Sequence, residues 1–332
     1  RGLDVDSFCE RQRVWVEGQA SDDGRPRVVL PGNGRTDSQF ARAVGEQIEA
    51  NKVWFNHNHQ TVVIRPVEVT ENLKTVGFHA LKPIEAGTDL EQYIETGLLK
   101  KDGANNPVFQ PSSLNREGAD KLLHAPQLLF HLPKILRIMD APLPVLHKGE
   151  ICLPRPGYNP DLKAYLLPTA PEIKPVPIDE AIRLIQEMLE GFCFASEQAF
   201  FHAVARLLTP FCKGLMGWDA RPPLWVYEAN RERCGKDYLN GVIQIVHDGN
   251  IVSNPPFNSD EELRKKITAA LRSGMRRMHF ANMKGHISSG ALEEAVTNKV
   301  WNDRTLGHSE EKSYPNEIDF SLSCNIGTTW TP

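Results

Sequence analysis

The chain holds no C-x-x-C pair. Its six cysteines stand apart at Cys9, Cys152, Cys193, Cys212, Cys234 and Cys324. Zinc knuckles and redox dithiols need paired spacing, and disulfide scaffolds need a dense even set, so the pattern predicts a reducing compartment with neither. No apolar run approaches the ~18 residues of a membrane span, and the N-terminus lacks a signal-peptide layout. A cytoplasmic protein with no membrane partner is expected. Charge of one sign is not in excess either: 38 Lys+Arg against 42 Asp+Glu leave a net −4 and a pI near 6.3. This excludes a wholly basic nucleic-acid binder while leaving room for local patches. What remains is ordinary for a globular protein, 40% hydrophobic and 24% charged over 332 residues, enough for two or three domains. Because it begins on Arg1 and ends on Pro332 just after a strand-like run, the chain is expected to be a piece of something longer.

The most informative stretch is Leu224–Val246, LWVYEANRERCGKDYLNGVIQIV. It reads as a short apolar strand, a polar loop with Gly235-Lys236, and a helix with apolar residues at helical spacing. A phosphate-binding loop needs that order, because the strand aims the loop, backbone N–H groups and a lysine meet the phosphates, and the positive end of the helix faces them. Against G-x-x-x-x-G-K-[ST], Asn230 replaces the first Gly and Asp237 the Ser/Thr. The first change is mild, since Asn visits positive φ more readily than other non-Gly residues. The second places a carboxylate where triphosphate charge would lie. Asn230, Arg231, Glu232, Arg233, Cys234, Gly235, Lys236 and Asp237 are the candidate cofactor-binding residues. An ordinary strand–turn–helix connection is the alternative.

Upstream, Arg13–Val16 and Arg27–Leu30 read as strands, Thr36 or Asp37 as the cap of a helix through Phe40, Val44 and Ile48, and 53–64 as a hairpin around Asn56–His59. Residues 1–66 form a small α+β module compatible with a winged helix. His57 and His59 are expected in a solvated turn. Residues 67–167 form an accessory region, with a partly helical 85–99, a helix over 115–123, a hairpin at Lys148-Gly149, and a turn at Pro156-Gly157-Tyr158-Asn159-Pro160. The prolines of 168–177 predict a linker. Beyond it, Ile178, Ala181, Ile182, Ile185 and Leu189, then Phe200, Val204, Leu207 and Leu208, define two helices with core-packing stripes. A helix over 260–274, a strand over 276–282, a helix over 292–300 and a strand over 317–325 complete an α/β sheet in 178–332, with its ligand expected at the strand C-termini.

Residues 127–332 resemble the ATPase core of AAA+ and superfamily-three-like helicases, especially primase-helicase proteins of phages and mobile elements. The resemblance rests on the hairpin at Lys148–Ile151 with PGYNP, on ANRERCGKDYLNG, on HFANMKGHISSG with VWNDRTLG, and on PNEIDFSLSCNIGTTWTP. It implies an α/β P-loop fold, incomplete at the C-terminus, binding ATP and Mg²⁺, acting on DNA, and assembled as a hexameric ring. In such proteins the loop lysine holds phosphates, a second strand ends in an acidic pair or Asp-Asn, and a later strand ends in a sensor Asn. Lys236, Ala281-Asn282 and Asn325 take those places, which makes Lys236, Asn282 and Asn325 the candidate catalytic residues.

Two departures stand out. Ala281 sits where a metal-handling Asp is expected, and Asp237 sits where a hydroxyl is expected, so Asp237 is the candidate metal ligand. Asn282 would orient the attacking water. Arg264, Lys265, Lys266, Arg272, Arg276, Arg277 and Lys284 bracket the second strand as a candidate DNA-contacting patch, with a solvated helix face as the alternative. The reading is a DNA helicase-type replication ATPase. A degenerate, non-hydrolysing DNA-binding or assembly subunit and a small-molecule kinase with a variant loop remain open.

Overall fold

Thr36 starts the first described helix, α1 (Asp37–Asn51), by a capping box: its hydroxyl accepts from Gln39 N–H while the Gln39 side chain accepts from Thr36 N–H. The computed structural model describes residues 17–32, 35–70, 73–104, 106–216, 220–231, 233–249, 251–304, 311–325 and 327–330. The expected strand at Arg13–Val16 and the loop residue Glu232 lie outside them. The chain divides into two units, Arg1–Arg65 with Phe78–Ile135, and Pro66–Gly77 with Leu136–Pro332.

In the first unit, β1 (Arg27–Val29) leads to α1, whose Phe40, Val44 and Ile48 are all buried as their spacing predicts. Strand β2 (Phe55–His57) turns on Asn58 and His59, both at positive φ, and pairs with β3 (Gln60–Thr70); β4 (Leu73–Ala80) follows. His57 is not a solvated turn residue. Its ring is buried against Phe78, with Nδ1 3.0 Å from the carbonyl of Ile135. The partly helical reading of 85–99 resolves into a helix, α2 (Pro83–Leu90), and a strand, β5 (Glu95–Lys101). Strand β5 pairs parallel with β1 and antiparallel with β6 (Pro107–Pro111). Helices α3 (Arg116–His124, capped by Asn115) and α4 (Pro126–His131) share a core with α1 through Leu122, Leu123 and Leu128. This unit therefore runs through residue 135.

The second unit opens with β7 (Arg137–Met139) and a hairpin of β8 (Val145–His147) and β9 (Glu150–Cys152). The hairpin turns on Lys148-Gly149, both at positive φ, as read from sequence. The PGYNP stretch differs from expectation: Gly157–Asn159 is a strand, β10, antiparallel to β11 (Ala164–Leu166), and the turn falls at 160–163. Residues 171–177 carry no helix or strand and are exposed. Helices α5 (Ile178–Leu189) and α6 (Glu197–Lys213, capped by Ser196) follow. Their apolar stripes were expected to pack into the core. On α5 only Leu189 is buried and Ile178 is 73% exposed; α6 buries Leu207 but leaves Phe201 and Leu208 exposed. Periodicity sets which face is apolar, not what covers it.

Strand β12 (Trp225–Ala229) then leads to α7 (Lys236–Asp248), α8 (Asp260–Ser273) and β13 (Arg277–Met283). The short β14 (His286–Ile287), α9 (Gly290–Thr297), β15 (Val300–Arg304), β16 (Glu311–Pro315), β17 (Asp319–Asn325) and β18 (Thr329–Trp330) complete the chain. The fold is mixed α/β with small sheets. One of them has the order β12-β17-β13, and both pairings are parallel, so all three strands end at one edge. Leu263, Ile267, Phe280, Trp301, Phe320 and Leu322 form the core beside it.

At its other end this sheet is held by a buried ion pair between Arg206 of α6 and Asp319 of β17, with the guanidinium 5.6 Å from the Trp225 ring centre. Arg206 is 1% exposed. Removing one partner leaves a buried charge unpaired, which costs ~3–5 kcal/mol, whereas an apolar pair of similar volume is often tolerated. Asp319→Ala should therefore lower unfolding stability of the chain in urea by that amount, and Arg206→Met with Asp319→Leu should recover most of it. A loss below ~1 kcal/mol for the single change would show that the pair does not hold the sheet.

Candidate functional site

The loop between β12 and α7 is built around two left-handed residues, Arg233 (φ 60°) and Gly235 (φ 89°). Asn230, expected to take positive φ, is not among the positive-φ residues described. Gly235 occupies the N-cap of α7 and has no side chain to offer, so no side chain caps the helix start. Its first-turn N–H groups and the positive end of its dipole are therefore available to an anion. Asn230, Arg231, Arg233 and Cys234 are exposed around that opening.

Lys236, the first residue of α7, is only 9% exposed. Its Nζ donates to Asn325 Oδ1 at 3.0 Å, a bond that joins the loop to the end of the central strand. Register explains the meeting. Ala229 pairs with Asn325, so the loop leaving β12 starts beside the last residue of β17. One acceptor leaves two ammonium hydrogens for other oxygens.

Asp237 lies in the first turn of α7 with its side chain 44% exposed. Its Oδ1 accepts from Ser323 Oγ, and His279 Nε2 lies 3.3 Å from the same oxygen. His279 is buried on β13, with Nδ1 3.0 Å from Ser321 Oγ, and Ser321 donates to Asn240 Oδ1 at 3.2 Å. Burial pushes the His279 imidazole below its ordinary pKa, against the pull of the Asp237 carboxylate. Among the described residues no group of three His, Cys, Asp or Glu side chains can hold a metal. One half-exposed carboxylate fits a Mg²⁺ ion that arrives with phosphates and keeps its waters, not a site built from protein alone.

Asn282 sits at positive φ (56°) in a register shift between Phe280 and Met283. Its N–H donates to Ser323 Oγ at 3.0 Å, and the residue is exposed. Lys236, Asp237, Asn282 and Asn325 are thus tied to one sheet edge, with His279, Ser321, Ser323 and Asn240 behind them. Sequence reasoning missed these four. The signal was the alternation of Ser321, Ser323 and Asn325 with Phe320, Leu322 and Cys324, which gives one polar and one apolar face.

The candidate DNA patch does not assemble as a free basic face. Arg277 is buried and paired through both guanidinium edges with Asp248. Arg264 pairs with Glu294 and stacks 4.7 Å from the Trp301 ring centre. Lys265 and Lys266 pair along α8 with Glu261 and Glu262, both at 2.6 Å. Arg276 and Arg272 are half-buried, and Lys284 is exposed. Most of these charges are neutralised within the fold, because a sequence window counts cations without seeing their partners.

No protein-family model matches the chain, and no curated protein matches it. Among solved structures it is similar to the A-form apo structure of the NrS-1 C-terminal region, at 9% identity and a TM-score of 0.38. The match covers 86% of this chain and 57% of that one, so the chain spans less than two thirds of that chain's length.

Two buried histidines of the second unit make it acid-sensitive. His247 of α7, buried with Nε2 2.8 Å from the carbonyl of Leu207, is lowered to about 4 by burial and by Arg277, and His279 is lowered in the same direction. Above pH ~6.5 both folded and unfolded forms are neutral there. Between ~6.5 and 4 the unfolded chain takes protons that the folded chain refuses, so stability falls by about 3 kcal/mol for His247 alone. Urea unfolding at pH 7.5, 6 and 5 should show this loss, and His247→Asn should remove His247's share of it.

Proposed function

We propose that the edge where β12, β13 and β17 end is a nucleotide-phosphate site of a P-loop type, belonging to an ATP-hydrolysing, DNA helicase-type replication protein. The observation that carries this reading is the 3.0 Å bond between Lys236 Nζ and Asn325 Oδ1. A lysine at an uncapped helix start and an amide at the end of the neighbouring parallel strand meet outside strand C-termini, where open α/β sheets bind ligands.

In this reading Lys236 and the first N–H groups of α7 bind the β- and γ-phosphates. Asn325 holds the ammonium in place and presents its amide to the terminal phosphate. Arg231 and Arg233 lie exposed at the rim, where they meet phosphate oxygens or a neighbouring subunit. Asn282 orients the attacking water. The free side of the Asp237 carboxylate holds Mg²⁺, while Ser323 and His279 fix its orientation. Bound Mg²⁺ supplies charge neutralisation on the phosphates. With no acid at the end of β13, the base for water activation is not a carboxylate of that strand. Coupling to DNA and assembly into a ring belong to the same proposal.

A non-hydrolysing nucleotide-binding subunit is the second reading. It is favoured by one observation: Asp237 Oδ1 faces Ser323 and His279 rather than Lys236. The two readings differ at Asp237 and agree at Lys236.

Lys236→Ala should weaken ATP binding about 10- to 100-fold, the worth of a charge-assisted contact, without changing the fold seen by circular dichroism. Unchanged affinity by calorimetry would sink the phosphate site. Removing Mg²⁺ should weaken ATP binding to the parent chain, because Asp237 then repels the phosphates. Asp237→Asn should improve metal-free binding while lowering hydrolysis at least about tenfold. If Asp237→Asn binds ATP without metal no better than the parent, the carboxylate does not face the phosphates. If the parent binds ATP yet never hydrolyses it, the second reading stands.

A further inference from the structure

A separate cleft of about 290 Å³ opens in the second unit near the start of β17. Asn316 and Glu317 line it, whereas Lys236 meets the opposite end of that strand, about 20 Å away at ~3.3 Å per residue. Its wall carries four cations, Arg137, Lys213, Arg221 and Lys299, against one acid, Glu317. Leu136, Val145 and Leu146 supply an apolar side.

The cations are not equally occupied. Arg221 donates to the carbonyls of Ala295, Val296, Asn316 and Ile318, which ties loops together without meeting a carboxylate. Arg137 meets Glu317 through one nitrogen, at 2.6 Å, while its Nε is buried with no acceptor. Lys213 donates to the backbone carbonyl of Glu317, which satisfies one of three ammonium hydrogens. Arg276, its charge disfavoured by burial and then by Arg137, in turn disfavours that of Lys213, and its Nη1 is buried without an acceptor. Surplus positive charge in a concave, partly apolar wall, with two Lys213 ammonium hydrogens to spare, is the complement of an anion with an apolar portion.

We infer that this cleft binds a small organic phosphate, its phosphate held by Arg137 and Lys213 and its apolar part laid against Leu136, Val145 and Leu146. The site is independent of the Lys236 loop. One property sets it apart. The Lys213 ammonium is lowered to about 7, chiefly by burial, with Arg276 and Arg221 adding to the effect and Glu317 and Asp319 opposing it. A bound phosphate, doubly charged above pH ~6, favours the protonated amine. Below pH ~7 the proton is already present. Above it, binding must take a proton up, so affinity falls by as much as tenfold per pH unit.

Titration calorimetry of the full chain with phenyl phosphate, at pH 7 and 8.5, tests the assignment. A saturable site apart from the Lys236 loop is expected, tighter than for inorganic phosphate, competed by it, and roughly tenfold weaker at pH 8.5. Lys213→Met and Arg137→Gln should each weaken it about tenfold, and Lys236→Ala should leave it unchanged. Loss of binding in Lys236→Ala with retention in Lys213→Met would overturn the site and assign the anion to the α7 loop. Phenyl phosphate binding no tighter than inorganic phosphate would overturn the apolar part. If either cleft variant fails to fold, the unaltered chain decides by reductive labelling with pyridoxal 5′-phosphate and borohydride, followed by peptide mapping. Labelling at Lys213 that inorganic phosphate suppresses supports the site, and labelling there that ignores phosphate, or is no faster than at exposed Lys284, overturns it.

Discussion

Strand β17 is buried along nearly its whole length, and a buried polar group without a partner costs as much as a lost hydrogen bond. That constraint organises the second unit. Four residues of the strand that alternate in position, Asp319, Ser321, Ser323 and Asn325, are polar, and each has found a partner on a neighbouring element. Asp319 takes Arg206 of α6, Ser321 takes His279 and Asn240, Ser323 takes Asp237 and the backbone of Asn282, and Asn325 takes Lys236. The intervening Phe320, Leu322 and Cys324 bury themselves in the apolar core. One strand thereby ties α6, α7 and β13 together and sets the height of the α7 loop.

The same network explains how a carboxylate is tolerated at position 237. An acid one residue after the loop lysine would repel an anionic ligand if it stood free beside it. Here Ser323 and His279 both engage Oδ1, which draws the carboxylate toward the sheet while the helix start stays open. The loop itself keeps its shape through Arg233 and Gly235. At φ 89° a side chain in place of Gly235 would be strained whatever the space around it.

Charge is handled differently in two parts of the second unit. Around α8 and β13 the cations are matched: Arg277 by Asp248, Arg264 by Glu294, and the lysines by glutamates four residues back. Near the start of β17 the match is less even: Arg137 pairs with Glu317, while Lys213 and Arg276 make no ion pair among the described residues and feel Glu317 and Asp319 at longer range. Of the cations that the sequence suggested as a patch, Arg276 alone belongs to this group.

The sequence alone determined the local features. Thr36, Asn115, Ser196 and Ser259 cap the helices they precede, Lys148-Gly149 turns its hairpin, and Leu224–Val246 forms strand, loop and helix, because caps, turn residues and periodicity act within a few residues. A resemblance also singled out Lys236 on the loop and Asn325 at a strand end, each for a separate place, with no signal that they touch. Only the tertiary structure decided the rest. The parallel pairing of β12 with β17 brings residues 89 positions apart to 3.0 Å. Other long-range packing buries His57 against Phe78, pairs Arg277 with Asp248, and leaves the apolar stripe of α5 uncovered. Each outcome depends on which surfaces meet across long stretches of chain, and propensity, spacing and charge counts carry no information about that meeting.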